Sequence, residues 1–152
     1  MEKIYILFLL LFSPTLTKAQ QPIGIWKNYF TNPSLVVSYK EVLYPVPGTD
    51  IVKAMLVFRI ENKTADNIQV SLTEELHYGS NCLNCDGKTR ELNPVFNLAS
   101  HEILEGDCSK TGASGSGGLK IFKQFVSPAV AQAKTAPLSQ FKLNRIQVSL
   151  IK

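Results

Sequence analysis

Two runs of alternating apolar and polar residues, which together fill residues 51–78, are the strongest constraint on the fold of this chain. Side chains in a β-strand point to opposite faces with a period of two, so each run can bury one face and expose the other. The polar segment 62–66 between them is rich in turn-forming residues, and the whole stretch predicts an antiparallel hairpin. The faces expected to be buried carry Val52, Ala54, Leu56, Phe58 and Ile60 in the first run, and Ile68, Val70, Leu72, Leu76 and Tyr78 in the second.

The rest of the chain has the same character and predicts an all-β fold. In the last run the apolar parity switches at Asn144 and Arg145, which predicts a β-bulge. No stretch after residue 20 sustains the 3.6-residue apolar period of a helix. Short strands separated by turns rich in Gly, Pro and Ser indicate a two-layer antiparallel β-sandwich. The further strand-like runs are residues 34–44, 94–99, 102–105, 119–126 and 140–152.

This pattern resembles the immunoglobulin-like or fibronectin-like domains of secreted proteins, which have about seven strands. The resemblance is one of pattern alone. The Cys–Trp–Cys spacing of true immunoglobulin domains is missing, because Trp26 precedes all three cysteines. The resemblance therefore implies an architecture and carries no functional residue over to this chain.

Residues 1–19 predict a secretory signal peptide. A weakly charged start precedes the apolar run 4–12, and Thr17 and Ala19 place small side chains at the two positions that a signal peptidase inspects. The apolar run is too short to anchor the chain in a membrane, which needs about 20 apolar residues. We therefore expect a single domain at residues 20–152 that is secreted or periplasmic, with no membrane span in the mature chain.

Charge and glycine spacing exclude some common partners. The chain has 16 basic and 12 acidic residues, for a net charge of +4, and its Lys and Arg residues are scattered. Nucleic-acid-binding domains usually concentrate such residues on one stripe. The glycine-rich segment Ser109–Gly118 is followed by Leu119 instead of the Lys and Ser/Thr of a phosphate-binding P-loop. The sequence thus predicts no nucleic-acid partner and no cofactor.

The cysteines Cys82, Cys85 and Cys108 carry the reactive chemistry of the sequence. In an oxidising compartment they favour a structural disulfide in which Cys108 pairs with Cys82 or Cys85. Three cysteines allow three single pairings, so all three residues are disulfide candidates.

Two other interpretations of these cysteines remain open. With His77 or His101, the three sulfurs would form a ligand set suited to zinc or cuprous copper. Thiol–disulfide exchange by the Cys-x-x-Cys pair is the other interpretation. It lacks the helix N-terminus that lowers a thiol pKa in thioredoxin-like sites, because Asp86 and Gly87 follow Cys85 and no helical pattern opens.

The acidic residues predict no paired catalytic site. Glu74 and Glu75 are adjacent, so in a strand they face opposite sides. Glu74 falls on the apolar face, and the cost of burying a charge predicts that a bulge or a frayed strand end exposes it. The tripeptide Asn62-Lys63-Thr64 matches the N-glycosylation motif in an expected surface loop.

Since no catalytic set emerges, we expect a non-catalytic module that binds a protein or a cell-surface component. The expected contact surfaces are the loops at residues 80–88 and 109–118, or an exposed strand edge. The alternative is an extracytoplasmic protein that handles zinc or copper, or exchanges disulfides, through Cys82, Cys85 and Cys108.

Overall fold

The computed structural model describes residues 21–127 and 135–151, so the predicted signal peptide lies outside the described residues. Within these ranges the chain is all-β, as predicted, with two antiparallel sheets and no α-helix. No helix of the described part is long and apolar enough to cross a membrane. The strands are β1 (Gln21–Pro22), β2 (Lys27–Thr31), β3 (Leu35–Pro45), β4 (Val52–Asn62), β5 (Ile68–Tyr78), β6 (Asn81–Leu83), β7 (Val95–Leu98), β8 (Ile103–Glu105), β9 (Lys120–Phe125) and β10 (Leu138–Leu150), with 3₁₀ turns at Arg90–Leu92 and Gly115–Gly118.

The first sheet is built on the hairpin of β3 and β4, which pair along their whole length, from Leu35 opposite Asn62 to Pro45 opposite Val52. The other edge of β3 pairs with β1 and β2, and the other edge of β4 pairs with β8 and β9. The sheet is curled into a half-barrel. Strand β4 is therefore paired on both edges.

The second sheet is centred on β5, which pairs with β10 on one edge and with β6 and β7 on the other. The register of β10 shifts between Asn144 and Gln147, and Arg145 has a φ of 51°. This is the predicted bulge. It lets Leu143 before it and Ile146 after it pack against the same core.

The hairpin predicted for residues 51–78 is wrong, although both of its strands form. Strands β4 and β5 do not pair with each other, because each belongs to a different sheet. A hairpin would place both apolar faces on one side of one sheet and leave them uncovered. Crossing between the sheets lets the two faces bury each other, which removes more apolar surface from water.

Asn62 fixes the crossover at the end of β4. Its side-chain amide donates hydrogen bonds to the carbonyls of Asp66, at 2.8 Å, and Ala99, at 2.7 Å. Its side-chain oxygen accepts from the Thr64 backbone at 2.9 Å. Asn62 is only 1% exposed, so the expectation of a glycosylation acceptor in a surface loop is wrong for the folded chain: the nitrogen that a sugar would modify is buried and already donates two hydrogen bonds.

One buried cluster of apolar side chains receives residues from both sheets and forms the main core. Two tyrosines also join the sheets by hydrogen bonds. The Leu143 backbone amide donates to the Tyr29 hydroxyl at 2.7 Å, and the Tyr78 hydroxyl donates to the Phe122 carbonyl at 2.5 Å. The buried members are Leu35, Val37, Leu56, Phe58, Ile60, Ile68, Val70, Leu72, Leu76, Phe96, Leu98, Leu119, Ile121 and Leu143.

A second, smaller cluster covers the opposite face of the first sheet. Met55 and Val57, on the face of β4 expected to be exposed, are buried there with Val42 and Cys108, and Trp26 packs against them. The expectation that this face of β4 is fully exposed is therefore wrong. The segment after β8 carries Cys108 back over the sheet, so the centre of β4 is buried on both faces.

Candidate functional site

The only disulfide among the described residues joins Cys82 in β6 to Cys85 in the loop that follows. Cys108 is buried in the second cluster, on the first sheet, and takes no part in this bond. The favoured pairing of Cys108 with Cys82 or Cys85 is therefore wrong. Cys82 and Cys85 both belong to the second sheet's edge, whereas Cys108 packs on the far face of the first sheet.

His77 lies beside this disulfide. Strand β6 pairs with β5 so that Cys82 stands directly opposite His77. The Nε2 atom of His77 lies 3.7 Å from the Cys82 Sγ and 2.8 Å from a carboxylate oxygen of Glu75. The carboxylate of Glu75 and the sulfur of Cys82 thus both approach the Nε2 atom of the imidazole on the outer face of the sheet.

Glu75 is held as an anion by three donors. It accepts hydrogen bonds from His77, from the Lys142 ammonium at 2.9 Å and from the Asn144 amide at 2.9 Å, the last two on β10. These contacts lower the pKa of Glu75 to about 2. The hydrogen bond from His77 contributes most, and that from Lys142 comes next. The carboxylate therefore stays charged across the physiological range and fixes the position of the imidazole.

Three of the five predicted ligand residues come together, namely Cys82, Cys85 and His77. Their ligand atoms and one from Glu75 all lie within 4.8 Å of one another. Cys108 is on the other sheet, and His101 is exposed in the turn between β7 and β8 with a φ of 57°. In the disulfide form the two sulfurs are bonded to each other, so neither is a thiolate ligand in this state. Glu75 could have been included from the sequence, because it lies two residues before His77 and therefore shares its strand face.

Asn84 organises the loop that carries Cys85, and no sequence pattern pointed to it. It is buried, with a φ of 62°, a conformation that asparagine tolerates better than most residues. Its amide donates to the carbonyl of Glu74 at 2.9 Å and to that of Leu92 at 3.3 Å, and its oxygen accepts from the Thr89 backbone at 2.8 Å. The side chain thus fills the gap on the edge of β5 between β6 and β7.

Glu74 lies on the inner face of β5, against expectation. It is only 6% exposed, although it occupies the middle of a regular strand with neither a bulge nor a frayed end. Its neighbour Glu75 faces the opposite side, as predicted, so the two carboxylates do not form a pair. The exposure predicted for Glu74 is wrong because the Asn84 loop and the segment before β9 cover this part of the strand.

The Glu74 carboxyl has no hydrogen-bond partner among the described residues. Every described side-chain N or O atom that is fully cut off from solvent does have a partner, so the carboxyl oxygens of Glu74 must reach the cleft beside them. Burial raises the pKa of Glu74 to about 8. Burial, and then the charge of Glu74, raise the pKa of Tyr78 to about 12.

Glu74 forms the floor of a cleft of about 330 Å³ at the open side between the sheets. One wall is the 3₁₀ turn with Glu91, and the other is the segment Gly112–Gly118. Lys120 lies at the rim, but its ammonium donates to the carbonyls of Asp107, Cys108 and Lys110. Its charge is thereby directed at the loop backbone, and the two carboxyls dominate the interior. The lining residues are Glu74, Glu91, Leu92, Gly112, Ala113, Gly117, Gly118 and Lys120.

A second cleft of about 510 Å³ adjoins the first, since both are lined by Glu91 and Ala113. Arg90 and Val95 also line the second cleft. Of the two loops expected to make contacts, residues 109–118 contribute to both clefts, whereas residues 80–88 carry the disulfide and line neither.

Comparison with protein-family models, with curated proteins and with solved structures finds no match to this chain. The Glu74 cleft and the Cys82–Cys85 disulfide are the two sites whose chemistry indicates a function.

Proposed function

We propose that the chain is a secreted or periplasmic, non-catalytic binding module whose Glu74 cleft takes a Lys or Arg side chain from an extended segment of a partner protein. The observation that carries the proposal is the carboxyl of Glu74, buried at the floor of the cleft without a hydrogen-bond partner among the described residues. A buried acidic group costs stability unless something pairs with it. A cationic side chain entering the cleft would supply that partner.

Charge complementarity favours a basic occupant over an acidic or neutral one. Glu91 lies in the same wall of the cleft, so two carboxyls face the space, and Lys120 is already held by backbone carbonyls. A guanidinium or ammonium group would form charge-assisted hydrogen bonds with the carboxylate of Glu74, and these are about twice as strong as neutral ones. Because burial raises the pKa of Glu74 to about 8, the carboxyl is largely protonated in the empty cleft, and a cation entering it favours the ionised form. An anionic ligand would oppose that ionisation and gains no such hydrogen bonds.

The adjoining cleft explains why the proposed occupant is part of a chain instead of a free ion. The two clefts lie side by side, because Glu91 and Ala113 line both, and together they are called the groove here. A peptide lying in the larger cleft can direct one side chain to Glu74, while Arg90 donates hydrogen bonds to a carbonyl or carboxylate oxygen of the same peptide. We expect no nucleic acid at this groove, because its two basic residues, Arg90 and Lys120, form no stripe and are matched by Glu74 and Glu91.

We also propose that the two sheets are the layers of an antiparallel β-sandwich like those of secreted immunoglobulin-like or fibronectin-like domains. One buried cluster shared by both sheets supports this. The likeness concerns the layers and not the connections, because β2, β3 and β4 lie side by side in chain order. In the immunoglobulin sheet the fifth strand lies beside the second. The Cys82–Cys85 disulfide is compatible with an oxidising compartment.

Titration with a small peptide tests the groove directly. The probe is acetyl-Ala-Arg-Ala-amide, added to ¹⁵N-labelled protein while backbone amide signals are followed by NMR. We expect saturable shifts in the millimolar range at Gly112, Gly117 and Gly118, which line the cleft. The matched probe carries citrulline instead of arginine, so it has the same shape without the charge and should bind at least tenfold more weakly.

Variants of the protein complete the test. Glu74→Gln should abolish the preference for arginine over citrulline, because it removes the charge at the floor of the cleft. Glu105→Gln, at a carboxylate on β8 that pairs with Lys40, is the matched control and should leave the preference intact. Equal binding of the two peptides to the unmodified protein, or no shift with either, would contradict the proposed function.

A further inference from the structure

We propose that the Cys82–Cys85 disulfide is redox-active and exchanges with a dithiol of a partner molecule, with His77 assisting the departure of the Cys82 sulfur. This activity belongs to the opposite face of the second sheet from the Glu74 cleft and does not depend on the proposed binding function. It rests on three observations: the exposure of Cys85, the position of His77 beside Cys82, and the independent anchoring of the loop.

The two sulfurs are placed unequally. Cys85 is exposed, whereas Cys82 is half-buried with the Nε2 atom of His77 3.7 Å away. An incoming thiolate therefore meets Cys85 first. The sulfur that leaves, Cys82, is the one next to the imidazole, and an N–H donor at that position stabilises a departing thiolate by a charge-assisted hydrogen bond.

Glu75 positions His77 for this role. Its carboxylate accepts a hydrogen bond from the His77 Nε2 at 2.8 Å, and Lys142 and Asn144 hold the carboxylate in place. The Nε2 atom of His77 is thereby held between the Glu75 carboxylate and the Cys82 sulfur, where its N–H can also serve a departing thiolate.

The exchange balances with a dithiol as the reductant. One thiolate of the dithiol attacks the Cys85 Sγ, the Cys82–Cys85 bond breaks, and the Cys82 thiolate accepts a hydrogen bond from the His77 Nε2 and then takes a proton from solvent. The second thiol of the partner loses its proton, attacks the mixed disulfide and releases the Cys85 thiolate, which is protonated by solvent. Two electrons pass to the protein disulfide, which becomes two thiols, and the partner dithiol becomes a disulfide.

The disulfide contributes little to the stability of the fold. It spans a sequence separation of 3, so it restricts the unfolded chain far less than a bond that closes a long loop. The loop is held without it, because Asn84 hydrogen-bonds to Glu74, Leu92 and Thr89. The reduced protein can therefore keep its fold, which a reversible exchange requires.

Reduction kinetics test the proposal. Folded protein is mixed with dithiothreitol, the reaction is quenched by alkylation at intervals, and mass spectrometry measures the fraction with Cys82 and Cys85 modified. We expect His77→Leu, which removes the N–H donor beside Cys82, to slow reduction about tenfold. The matched control is His101→Asn, at an exposed histidine whose left-handed conformation asparagine accepts, and its rate should equal that of the unmodified protein.

Circular dichroism of each variant and of the reduced protein confirms that the comparison is between folded molecules. Equal reduction rates for His77→Leu and the unmodified protein would overturn the assignment of His77. A disulfide that is reduced only when the protein unfolds would overturn the whole proposal and leave the bond a structural one.

Discussion

The Tyr78 hydroxyl donates a hydrogen bond to the Phe122 carbonyl at 2.5 Å and so ties the second sheet to the backbone of the first. The rings of the two residues also stack, with centroids 6.4 Å apart. Tyr78→Phe keeps the ring and removes the donor, which leaves the carbonyl without its partner. We expect the free energy of unfolding to fall by about 1–2 kcal/mol, measured by urea denaturation.

Tyr44→Phe is the control for this substitution. Tyr44 is also half-buried, but its hydroxyl makes no hydrogen bond within the described part of the chain. Its replacement should change the free energy of unfolding by less than about 0.5 kcal/mol. An equal loss in both variants would mean that the Tyr78 hydroxyl does not join the sheets.

Gly106 is the point where the chain leaves β8 and approaches β9. Its backbone amide donates to the Phe58 carbonyl at 2.9 Å, and the Phe58 amide donates to the Leu119 carbonyl at 2.9 Å. A Cβ atom at position 106 would collide with that Leu119 carbonyl, which is backbone and cannot move aside cheaply. We expect Gly106→Ala to lower the free energy of unfolding by roughly 3 kcal/mol or more.

Gly24→Ala provides the comparison for thermal melting. A Cβ atom there would meet nothing closer than 3.9 Å, and the position needs no positive φ. Its melting temperature should stay close to that of the unmodified protein, while that of Gly106→Ala should fall by more than 10 °C, on the order expected for such a loss in a small domain. A Gly106→Ala variant that melts normally would contradict the close approach.

The positions of β3, β4, β5 and β7 to β10 could be predicted from the sequence because their cause is local, whereas β1, β2 and β6 were not predicted. The alternation in β5 depends only on which neighbours are apolar, and the parity switch at Asn144 reports the bulge directly. Pairing could not be predicted in the same way. Whether β4 pairs with β5 or faces it across the core depends on which arrangement covers both apolar faces, and that involves strands far apart in the sequence.

The candidate sites depended on the same long-range information. Alternation placed Glu74 on the inner face, yet the general cost of burying a carboxylate outweighed it, because nothing local showed that a cleft reaches that point. Proximity of His77 to Cys82 follows from the β5–β6 register, which short sequence patterns do not specify. Cys108 was grouped with the other cysteines by residue type alone, although the fold places it on the other sheet.

Processing of the N-terminus tests the predicted location. The pattern of residues 1–19 predicts cleavage after Ala19. We expect intact-mass spectrometry of protein recovered from the periplasm or the culture medium to give a chain beginning at Gln20. Recovery of a chain that still begins at Met1 from those fractions would contradict both the cleavage and the proposed compartment.

The stability of the protein should depend on pH through Glu74. Its pKa is about 8 in the folded state, above the ordinary value of 4.5, so folding favours the protonated form. The stability associated with this group is complete below pH 4.5, declines as the pH rises, and is lost once the pH passes 8. Glu74→Gln removes the ionisation, so the variant should exceed the unmodified protein in stability by roughly 3 kcal/mol at pH 7 and by little at pH 4.

Urea denaturation of both proteins at pH 4, 6 and 8 measures this difference, with Glu105→Gln as the exposed control, expected to change by less than about 0.5 kcal/mol. A variant that is more stable but no longer prefers arginine would show that the carboxyl is kept for binding at the expense of stability, a common trade at functional sites. A stability difference that does not change with pH would mean that water solvates the Glu74 carboxyl freely. That result would contradict the burial of Glu74 without a hydrogen-bond partner.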